Sequence, residues 1–499
     1  MIKTLLVIVI LSLVAGVVYA FGFWGRPVPL RFTLTENADT DQDGFIDTWH
    51  FASPHDGKAD FVEIDSNHDG RVDQLQFRNP DIQTLDVSNS GSDVSARKKL
   101  AVCLDGAPYE VMAQLWDQGL FREFSRPVKV ISVFPSVSDV ALSEILHAER
   151  VPGYENLYFD VQRNQIAGGA ISTVSKARIP YLEILDYDEP GIFKGLAYIL
   201  PIRTYRADLG RFLKRYAASP RGYYKAHLCA TDSLCHLMTP NEFAKYLREV
   251  DTLLRDIFLQ HQGKLDLVVF SDHGNSQVPS RRLDVEHFLA EAGFQVESSL
   301  RSQRSVAIPG FGLVGVMAVY CATDNIPRLA RLFSRCEGVD FCAFLEQGAV
   351  RISSDRGTAR ILADASGHRL KYERVDGDPL ELALICDQLL REAQVDSQGF
   401  VQADVWFKST VEHQFPDAIN AIFRGVNNHV TNRASLLVSL KDGYHYGSRF
   451  FNQLVTLRST HGSLRKTSMT GFAMCNGPMS QKIVPARDVL SRPGSLVEQ

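Results

Sequence analysis

The sequence predicts an α/β domain with a mostly parallel sheet flanked by helices, preceded by a small Asp-rich module. From residue 98 onward, short apolar runs that suit strands alternate with amphipathic runs that suit helices. Ahead of them, residues 36–73 carry eleven Asp or Glu, opposed only by Lys58 and Arg71. A carboxylate block of this density repels itself unless cations bind it, so the module is predicted to be a cation-binding unit.

The chain of 499 residues, 45% of them apolar, is long enough for a large core and more than one domain. Its formal charge of -5 argues against a general nucleic-acid binder, and no nucleic-acid-binding surface is evident. Five segments are predicted: a signal peptide or membrane anchor (1–25), Asp-rich repeats (33–77), a linker (78–97), a catalytic domain (98–480) and a polar tail (481–499).

The N-terminus has the pattern of a targeting segment. Lys3 precedes an uncharged run from Thr4 to Gly25, and Val18-Tyr19-Ala20 suits cleavage by signal peptidase. The same run is long enough to span a bilayer. A cleaved signal and a retained anchor therefore both remain open. Either one predicts an exported protein, periplasmic or extracellular, and the second adds membrane anchoring through residues 4–25.

Two copies of one acidic pattern lie 26 residues apart, Asp-Thr-Asp-Gln-Asp-Gly-Phe-Ile-Asp at 39–47 and Asp-Ser-Asn-His-Asp-Gly-Arg-Val-Asp at 65–73. Oxygen side chains at positions 1, 3, 5 and 9, with Gly at position 6 for the turn, suit calcium. The pattern resembles the calcium-binding repeats of secreted bacterial proteins and the first half of an EF-hand loop. His50 and Gln76 occupy position 12, where an EF-hand has a bidentate Glu, so weak affinity is expected. Asp/Gly-rich turns without an ion are the alternative. The predicted ligands are Asp39, Asp41, Asp43, Asp47, Asp65, Asn67, Asp69 and Asp73.

In the catalytic domain, Asp and His residues stand in short motifs beside apolar runs. Asp105 follows Leu-Ala-Val-Cys-Leu, and Asp272-His273 follow Leu-Val-Val-Phe-Ser. Ligands of parallel sheets gather beyond the carboxyl ends of strands, which is where these residues are expected. Asp232 and His236 are four apart and would share one helix face, and His461 follows a predicted strand at 453–458. Each residue alone suits a structural role, but together they suit a two-metal site.

Ser138 lies between a predicted strand that ends at Phe134 and a predicted helix that starts near Asp139. It is either a helix N-cap or a nucleophile whose alkoxide the helix N-terminus and a metal stabilise. Ser136 is the competing nucleophile.

The motif order Asp … Phe-Pro-Ser-x-Ser … Asp-x-x-x-His … Ser-Asp-His-Gly … Thr-His-Gly resembles the alkaline phosphatase superfamily over roughly residues 98–480. The nearest branch is the type I phosphodiesterase/nucleotide pyrophosphatase group. This family often has a Thr nucleophile in a Lys-Thr-Phe-Pro-Asn-like stretch, whereas here Ser138 is followed by Asp139-Val140. The resemblance implies two zinc ions (or another divalent metal), one held by Asp232, His236 and His461 and the other by Asp105, Asp272 and His273, with Ser138 bridging.

The function expected from this resemblance is metal-dependent phosphoester hydrolysis of the phosphodiesterase/nucleotide pyrophosphatase type, through a covalent phospho-enzyme. The substrate would be a phosphorylated small molecule or lipid. The alternatives are a transferase of phosphoglycerol- or phosphoethanolamine-like groups and a non-catalytic calcium-dependent binding protein. A sulfatase is disfavoured because no Cys/Ser-x-Pro-x-Arg stretch is present. Of eight cysteines, Cys336 and Cys342 flank a Gly-containing turn and are a candidate disulfide.

Overall fold

The computed structural model describes residues 28–53, 58–78, 81–87, 97–169, 178–190, 194, 196–477, 479 and 481–490. The predicted signal or anchor segment lies outside these residues, as do most of the predicted linker and the tail beyond residue 490. In the part of the chain that is described, no helix combines the length and apolarity needed to cross a bilayer.

The Asp-rich module is an antiparallel sheet of five strands, hereafter the N-terminal sheet: Thr33–Ala38, Thr48–Ala52, Ala59–Ile64, Gln74–Arg78 and Ile82–Asp86. The first Asp repeat joins strands one and two, and the second joins strands three and four. The repeats are thus flanked by strands rather than by the two helices of an EF-hand, so the likeness is confined to the loops. The predicted linker also differs, because its residues 82–86 pair with Gln74–Arg78 and extend the sheet.

One face of the N-terminal sheet packs against helix Pro240–Gln260 of the catalytic domain. Phe258 and Leu259 of this helix share a buried apolar cluster with Phe51, Phe61 and Leu75 of the sheet. Polar contacts reinforce the docking: Asp256 accepts the backbone N–H groups of Arg31 and Phe32, and the Arg71 guanidinium donates to the Asn476 carbonyl. The acidic module is therefore held against the catalytic domain through both apolar and polar contacts.

The catalytic domain is built on a central sheet of seven strands, in spatial order Tyr187–Asp188, Tyr223–Leu228, Lys98–Leu104, Leu265–Phe270, Thr470–Cys475, Val128–Ile131 and Ile483–Pro485. Only Thr470–Cys475 runs antiparallel to its neighbours. Helices Tyr109–Asp117, Pro201–Ala217 and Pro240–Gln260 cover one face, and helix Ser138–Ile145 packs on the other. The predicted mostly parallel α/β sheet is confirmed.

A second sheet of nine strands was not predicted: Gln295–Val296, Ser305–Ala307, Val316–Cys321, Leu436–Leu440, Val339–Glu346, Ala349–Ser354, Gly357–Ala363, Arg369–Gly377 and Val401–Gln402. Nearly all of its pairings are antiparallel. Two of the apolar runs that suit strands of the predicted parallel sheet, at 314–321 and 435–440, belong to it instead. Antiparallel pairing follows from tight hairpins, such as Gln347-Gly348, where both residues have positive φ.

The other helices are Ala230–Leu237, Val285–Glu291, Ile326–Phe333, Ala383–Arg391, Ala403–Thr410, Ala418–Asn427, Arg449–Leu454 and Lys466–Met469, with short 3-10 turns at Pro180–Glu183, Thr323–Asn325 and Ala486–Asp488. Small sheets pair Leu157–Asp160 with Gln165–Gly168, and Tyr444–Gly447 with Arg281–Arg282 and Leu313–Val314.

Two further expectations are wrong. The strand predicted at 453–458 is not formed, because Ser448 caps a helix at Arg449–Leu454 and the chain then continues as a loop. Cys336 and Cys342 are not bonded, since all eight cysteines are free thiols. The Cys342 thiol is instead buried in the second sheet, where it lies near the carbonyls of Ala330 and Ser353.

Candidate metal centre

The six Asp and His residues of the predicted site converge at the carboxyl end of the central sheet. Asp105 and the pair Asp272-His273 follow two adjacent parallel strands, in which Cys103 lies opposite Phe270. Asp232 and His236 lie on helix Ala230–Leu237, directly after a third parallel strand, and His461 lies on the loop that precedes Thr470–Cys475.

Two overlapping groups of ligand atoms form within this cluster. Asp105, Asp272 and His273 make one group, and Asp232, His273 and His461 make the other, with the ligand atoms of each group within 4.8 Å of one another. The ring of His273 stacks on that of His461 at 3.9 Å between centroids. The two predicted triads are thus neighbours, and His273 is close to both.

The sixth residue, His236, joins the cluster through Asp232. Its Nε2 lies 3.1 Å from Asp232 Oδ2, and His461 Nε2 lies 3.6 Å from Asp232 Oδ1. The Asp232 carboxylate therefore lies between two imidazoles, as expected if Asp232, His236 and His461 hold one metal ion.

Backbone carbonyls set the orientation of all three imidazoles. Nδ1 of His236 lies 2.8 Å from the Ser459 carbonyl, Nδ1 of His273 lies 2.9 Å from the Gly274 carbonyl, and Nδ1 of His461 lies 2.8 Å from a third carbonyl. A carbonyl can only accept, so each Nδ1 carries a proton. Each Nε2 then faces a carboxylate, and in the neutral imidazole this nitrogen carries the lone pair that can bind a metal.

The donor set fits divalent metal ions. His236 Nε2 and Asp272 Oδ2 are buried and have no hydrogen-bond partner among the described residues, which is costly unless another group satisfies them. Ligands bound to a tetrahedral ion at about 2.0–2.1 Å lie roughly 3.3 Å apart. The distance of 3.4 Å between His273 Nε2 and Asp105 Oδ1, and those around Asp232, are close to this spacing.

The electrostatics of the cluster are those of carboxylates placed out of water. Burial raises the pKa of Asp105 to about 6, and the charge of Asp272 adds to this effect. Burial would also raise the pKa of Asp232, but the neighbouring His236 and His461 lower it. Burial, together with the nearby His273, lowers the pKa of His461 to about 3. A neutral His461 with a free Nε2 is a competent metal ligand.

The Ser138 hydroxyl contacts the carboxylates and imidazoles of the cluster, whereas Ser136 contacts the cluster only through its backbone carbonyl, which lies 2.8 Å from His461 Nδ1. The Ser138 hydroxyl donates to Asp105 Oδ1 at 3.1 Å and lies 3.3 Å from His273 Nε2. It is the first residue of helix Ser138–Ile145, in which the N–H groups of Val140 and Ala141 already donate to the Val137 carbonyl. The N–H groups of Ser138 and Asp139 lie ahead of these first helical hydrogen bonds. The Ser136 hydroxyl donates to the Ser463 carbonyl and accepts the Gly462 N–H, so it braces the loop that carries His461. This geometry favours Ser138 as the nucleophile.

Sequence reasoning missed a buried row of polar residues behind Asp105. Asp188 and His227 are aligned on adjacent strands, and His227 is aligned with Cys103 on the next. His227 lies 3.0 Å from Asp105 Oδ2 and 2.7 Å from Asp188 Oδ1, and the Lys194 ammonium lies 2.8 Å from Asp188 Oδ2. The strand Tyr-Tyr-Lys-Ala-His-Leu lacks the continuous apolar character that identified the neighbouring strands.

These contacts shift the pKa values of the row. Burial alone would lower the pKa of His227, but its hydrogen bonds to Asp105 and Asp188 raise it to about 10. Burial would raise the pKa of Asp188, but Lys194 and then His227 lower it to about 2. The row thus alternates cation, anion, cation and anion, from Lys194 to Asp105.

The Asp repeats of the N-terminal sheet form a second group of candidate ligands. Each loop has the same internal hydrogen bonds: Asp39 Oδ2 accepts the Gly44 N–H at 2.8 Å, and Asp65 Oδ2 accepts the Gly70 N–H at 2.8 Å. One close group of candidate ligands consists of the carboxylates of Asp39, Asp41 and Asp43. A second group, which spans both loops, consists of two carboxylates and one imidazole, from Asp41, Asp47 and His68. Asp69 accepts the Arg71 N–H, and Asp73 accepts the Ser66 N–H and hydroxyl.

Asn67 takes part in the same pattern, since its Oδ1 accepts the Asp69 N–H, as Asp41 Oδ1 accepts the Asp43 N–H. All eight predicted calcium ligands therefore lie in two loops of matching hydrogen-bond pattern.

Comparisons with known proteins give structural neighbours only. No protein-family model matches the chain, and no curated protein matches it. Human ectonucleotide pyrophosphatase/phosphodiesterase 5 is 10% identical, with a TM-score of 0.42, and the match covers 79% of this chain and 93% of that chain. Phosphonoacetate hydrolase from Sinorhizobium meliloti, in complex with phosphonoacetate, is 13% identical, with a TM-score of 0.41 and coverage of 79% and 94%. At such identities and TM-scores these likenesses assign no function, which must be argued from the side chains.

Proposed function

We propose that the chain is a two-metal hydrolase of phosphoester bonds, of the phosphodiesterase/nucleotide pyrophosphatase type, with Ser138 as nucleophile. The observation that carries the proposal is the buried cluster in which three carboxylates face three imidazoles of defined tautomer. A serine at a helix N-terminus touches the same cluster. The motif order, which resembles the alkaline phosphatase superfamily, supports the same reaction.

The donor set favours zinc. Three imidazole nitrogens and three carboxylates suit a borderline metal better than calcium or magnesium, which prefer oxygen ligands alone. Asp232, His236 and His461 would hold one ion, and Asp105, Asp272 and His273 the other. Bound there, the ions would supply positive charge that stabilises the oxyanions of phosphoryl transfer.

The residues of the chain account for the steps around the serine. Asp105 Oδ1 accepts the Ser138 hydroxyl hydrogen bond and is the nearest group that can take its proton. Ser138 Oγ then bonds to phosphorus while the bond to the leaving oxygen breaks, and the leaving oxygen takes the proton that Asp105 accepted. The product is a serine phosphoester. The backbone N–H groups of Ser138 and Asp139, at the start of helix Ser138–Ile145, suit a phosphate oxygen. Water hydrolyses the serine phosphoester and restores the hydroxyl.

The proposal extends to the other parts of the chain. The Asp repeats would bind calcium weakly, as suits millimolar extracellular levels, and the N-terminal pattern would export the protein with or without retention of a membrane anchor. The substrate would be a phosphorylated small molecule or lipid.

Hydrolysis of paired chromogenic phosphate monoesters and diesters tests the proposal. The full chain would be assayed with added zinc, with a zinc chelator, and as Ser138→Ala, with Ser136→Ala as the matched control. We expect zinc-dependent cleavage that Ser138→Ala reduces by at least about 10³-fold. Ser136→Ala should reduce it far less, because that variant loses only the brace on the loop that carries His461. Transfer of a phosphoglycerol- or phosphoethanolamine-like group to a lipid or glycan, instead of its release into water, would favour the transferase. Absence of bound transition metal would contradict the site assignment.

A further inference from the structure

Of the row Lys194–Asp188–His227–Asp105, only Asp105 takes part in the reaction steps described above. It crosses the carboxyl ends of three parallel strands and ends on a candidate metal ligand that also contacts Ser138. His227 is 1% exposed, so the row is built into the interior and is not a surface ion pair. Even paired charges in a protein interior often contribute no more stability than well-packed apolar side chains would, which points to a role beyond stability.

The two oxygens of Asp105 have different partners. Oδ2 faces His227 Nε2 at 3.0 Å, while Oδ1 faces the Ser138 hydroxyl at 3.1 Å and His273 Nε2 at 3.4 Å. An ionised carboxylate can only accept, so both ring nitrogens of His227 must donate, one to Asp105 and the other to Asp188. The Asp105 carboxylate is therefore held at Oδ2, and its Oδ1 is directed towards the cluster.

The orientation of His227 is fixed in turn. Asp188 Oδ1 holds its Nδ1 at 2.7 Å, and the Lys194 ammonium holds the second oxygen of Asp188 at 2.8 Å. Asp188, His227 and Asp105 thus each have a partner on both sides, which restricts rotation of the Asp105 side chain. Outer groups that orient metal ligands in this way typically contribute about 10–100-fold to metal affinity.

We propose that His227, held by Asp188 and Lys194, is a positioning residue that fixes the Asp105 carboxylate for the metal ion of the Asp105–Asp272–His273 group. This inference rests on the proposed function, because it presupposes a metal ion at that group. It assigns no contact with substrate to His227. The substitution of His227 should therefore weaken binding of only one of the two metal ions, because the row ends on Asp105 and does not contact Asp232.

Three variants of one residue separate positioning from packing. Gln places an N–H near the position of His Nε2, and so can still donate to Asp105. Asn places its amide near His Nδ1, and so can reach only Asp188. Leu fills the space without donating. We expect His227→Gln to stay within a few-fold of the wild-type zinc affinity. We expect His227→Asn and His227→Leu each to weaken one of two zinc equivalents by about 10–100-fold.

The measurement is competition for zinc between the full chain and a chromophoric chelator, with thermal melting as the check on folding. His445→Gln is the control, because His445 is also buried and bonded on both nitrogens, but to the neutral side chains of Ser280 and Asn452. Lys194→Met, at the outer end of the row, tests the inference without emptying the core and should weaken the same equivalent by a few-fold.

A folded His227→Leu protein that binds both zinc ions with wild-type affinity would overturn the inference. A variant that binds both zinc ions equally weakly would also overturn it. Failure of the proposed function has a different signature. A wild-type chain that binds two zinc ions but cleaves no phosphoester would contradict the function and leave the positioning role intact. A wild-type chain that binds no zinc would contradict both.

Discussion

The N-terminal sheet and the catalytic cluster both gather carboxylates, but in opposite environments. In the repeats, Asp41 and Asp43 have side chains 46% and 38% exposed, and the carboxylates accept N–H groups from their own loop. In the cluster, Asp272 is fully buried and leaves one oxygen without a hydrogen-bond partner among the described residues. A loop of nine residues can therefore satisfy its carboxylates with its own backbone N–H groups and with water. The buried carboxylates of the cluster depend instead on groups from distant segments of the chain.

The largest effect on activity is expected from replacing Gly106, which lies against the cluster, by alanine. Gly106 has φ +67°, and a Cβ there would lie 2.5 Å from Asp232 Oδ1 and 3.3 Å from His273 Cε1. Gly106→Ala should therefore displace candidate ligands of both metal ions and reduce zinc-dependent hydrolysis by at least about 100-fold. Zinc titration together with the ester assay would check this, and full activity in the variant would show that the cluster is not the site.

A buried carboxylate outside both regions isolates the effect of burial. Burial raises the pKa of Asp417 to about 6 from 3.8, and Arg424 opposes this only in part. Because the folded state holds the proton more tightly than the unfolded state, this group should lower stability as pH rises from about 4 to about 6, by up to about 3 kcal/mol.

Asp417→Asn should remove that slope, and Asn tolerates the positive φ of 51° found there. The check is chemical unfolding of the two proteins at several pH values. Parallel stability curves between pH 4 and 6 would show that burial does not penalise the charged form at this position.

The same methyl group added to a repeat should have a smaller effect. Gly44 and Gly70 have φ of +97° and +86°, and a Cβ at either position would meet nothing within 4 Å. Gly44→Ala and Gly70→Ala should each cost about 1 kcal/mol of stability through backbone strain alone, with unchanged ester hydrolysis. Denaturant unfolding and the ester assay measure both quantities, and a large loss of activity would show that the loops and the cluster are coupled.

The smallest expected effect is that of calcium. If each repeat binds with a Kd of about 10⁻⁴–10⁻³ M, then 1 mM calcium should add about 0.4–1.4 kcal/mol of stability per site. Calorimetric melting with and without a calcium chelator would detect it, with Asp39→Asn and Asp65→Asn each removing one contribution. A melting temperature indifferent to calcium in the wild type would identify the repeats as turns without an ion.

The sequence predicted the features that depend on short motifs, but not those that depend on which strands pair with each other. Asp105 and Asp272 could be placed at strand ends because the strands before them are continuous apolar runs. The Asp repeats could be recognised from the regular spacing of their oxygen side chains. His227 could not be placed, because its strand mixes Tyr, Lys and His and its partner Asp188 is brought beside it only by parallel pairing. The second sheet was missed because the same apolar runs suit antiparallel hairpins and parallel strands equally.

The central claim is that Ser138 is the nucleophile of a metal-dependent phosphoester hydrolase. The most direct test is to quench the zinc-loaded full chain during turnover of a slow substrate and locate the covalent adduct by peptide mass spectrometry. The account predicts the mass of the transferred phosphoryl or phosphodiester group on Ser138, and no adduct in Ser138→Ala. An adduct on another residue, or near-full activity in Ser138→Ala, would contradict it.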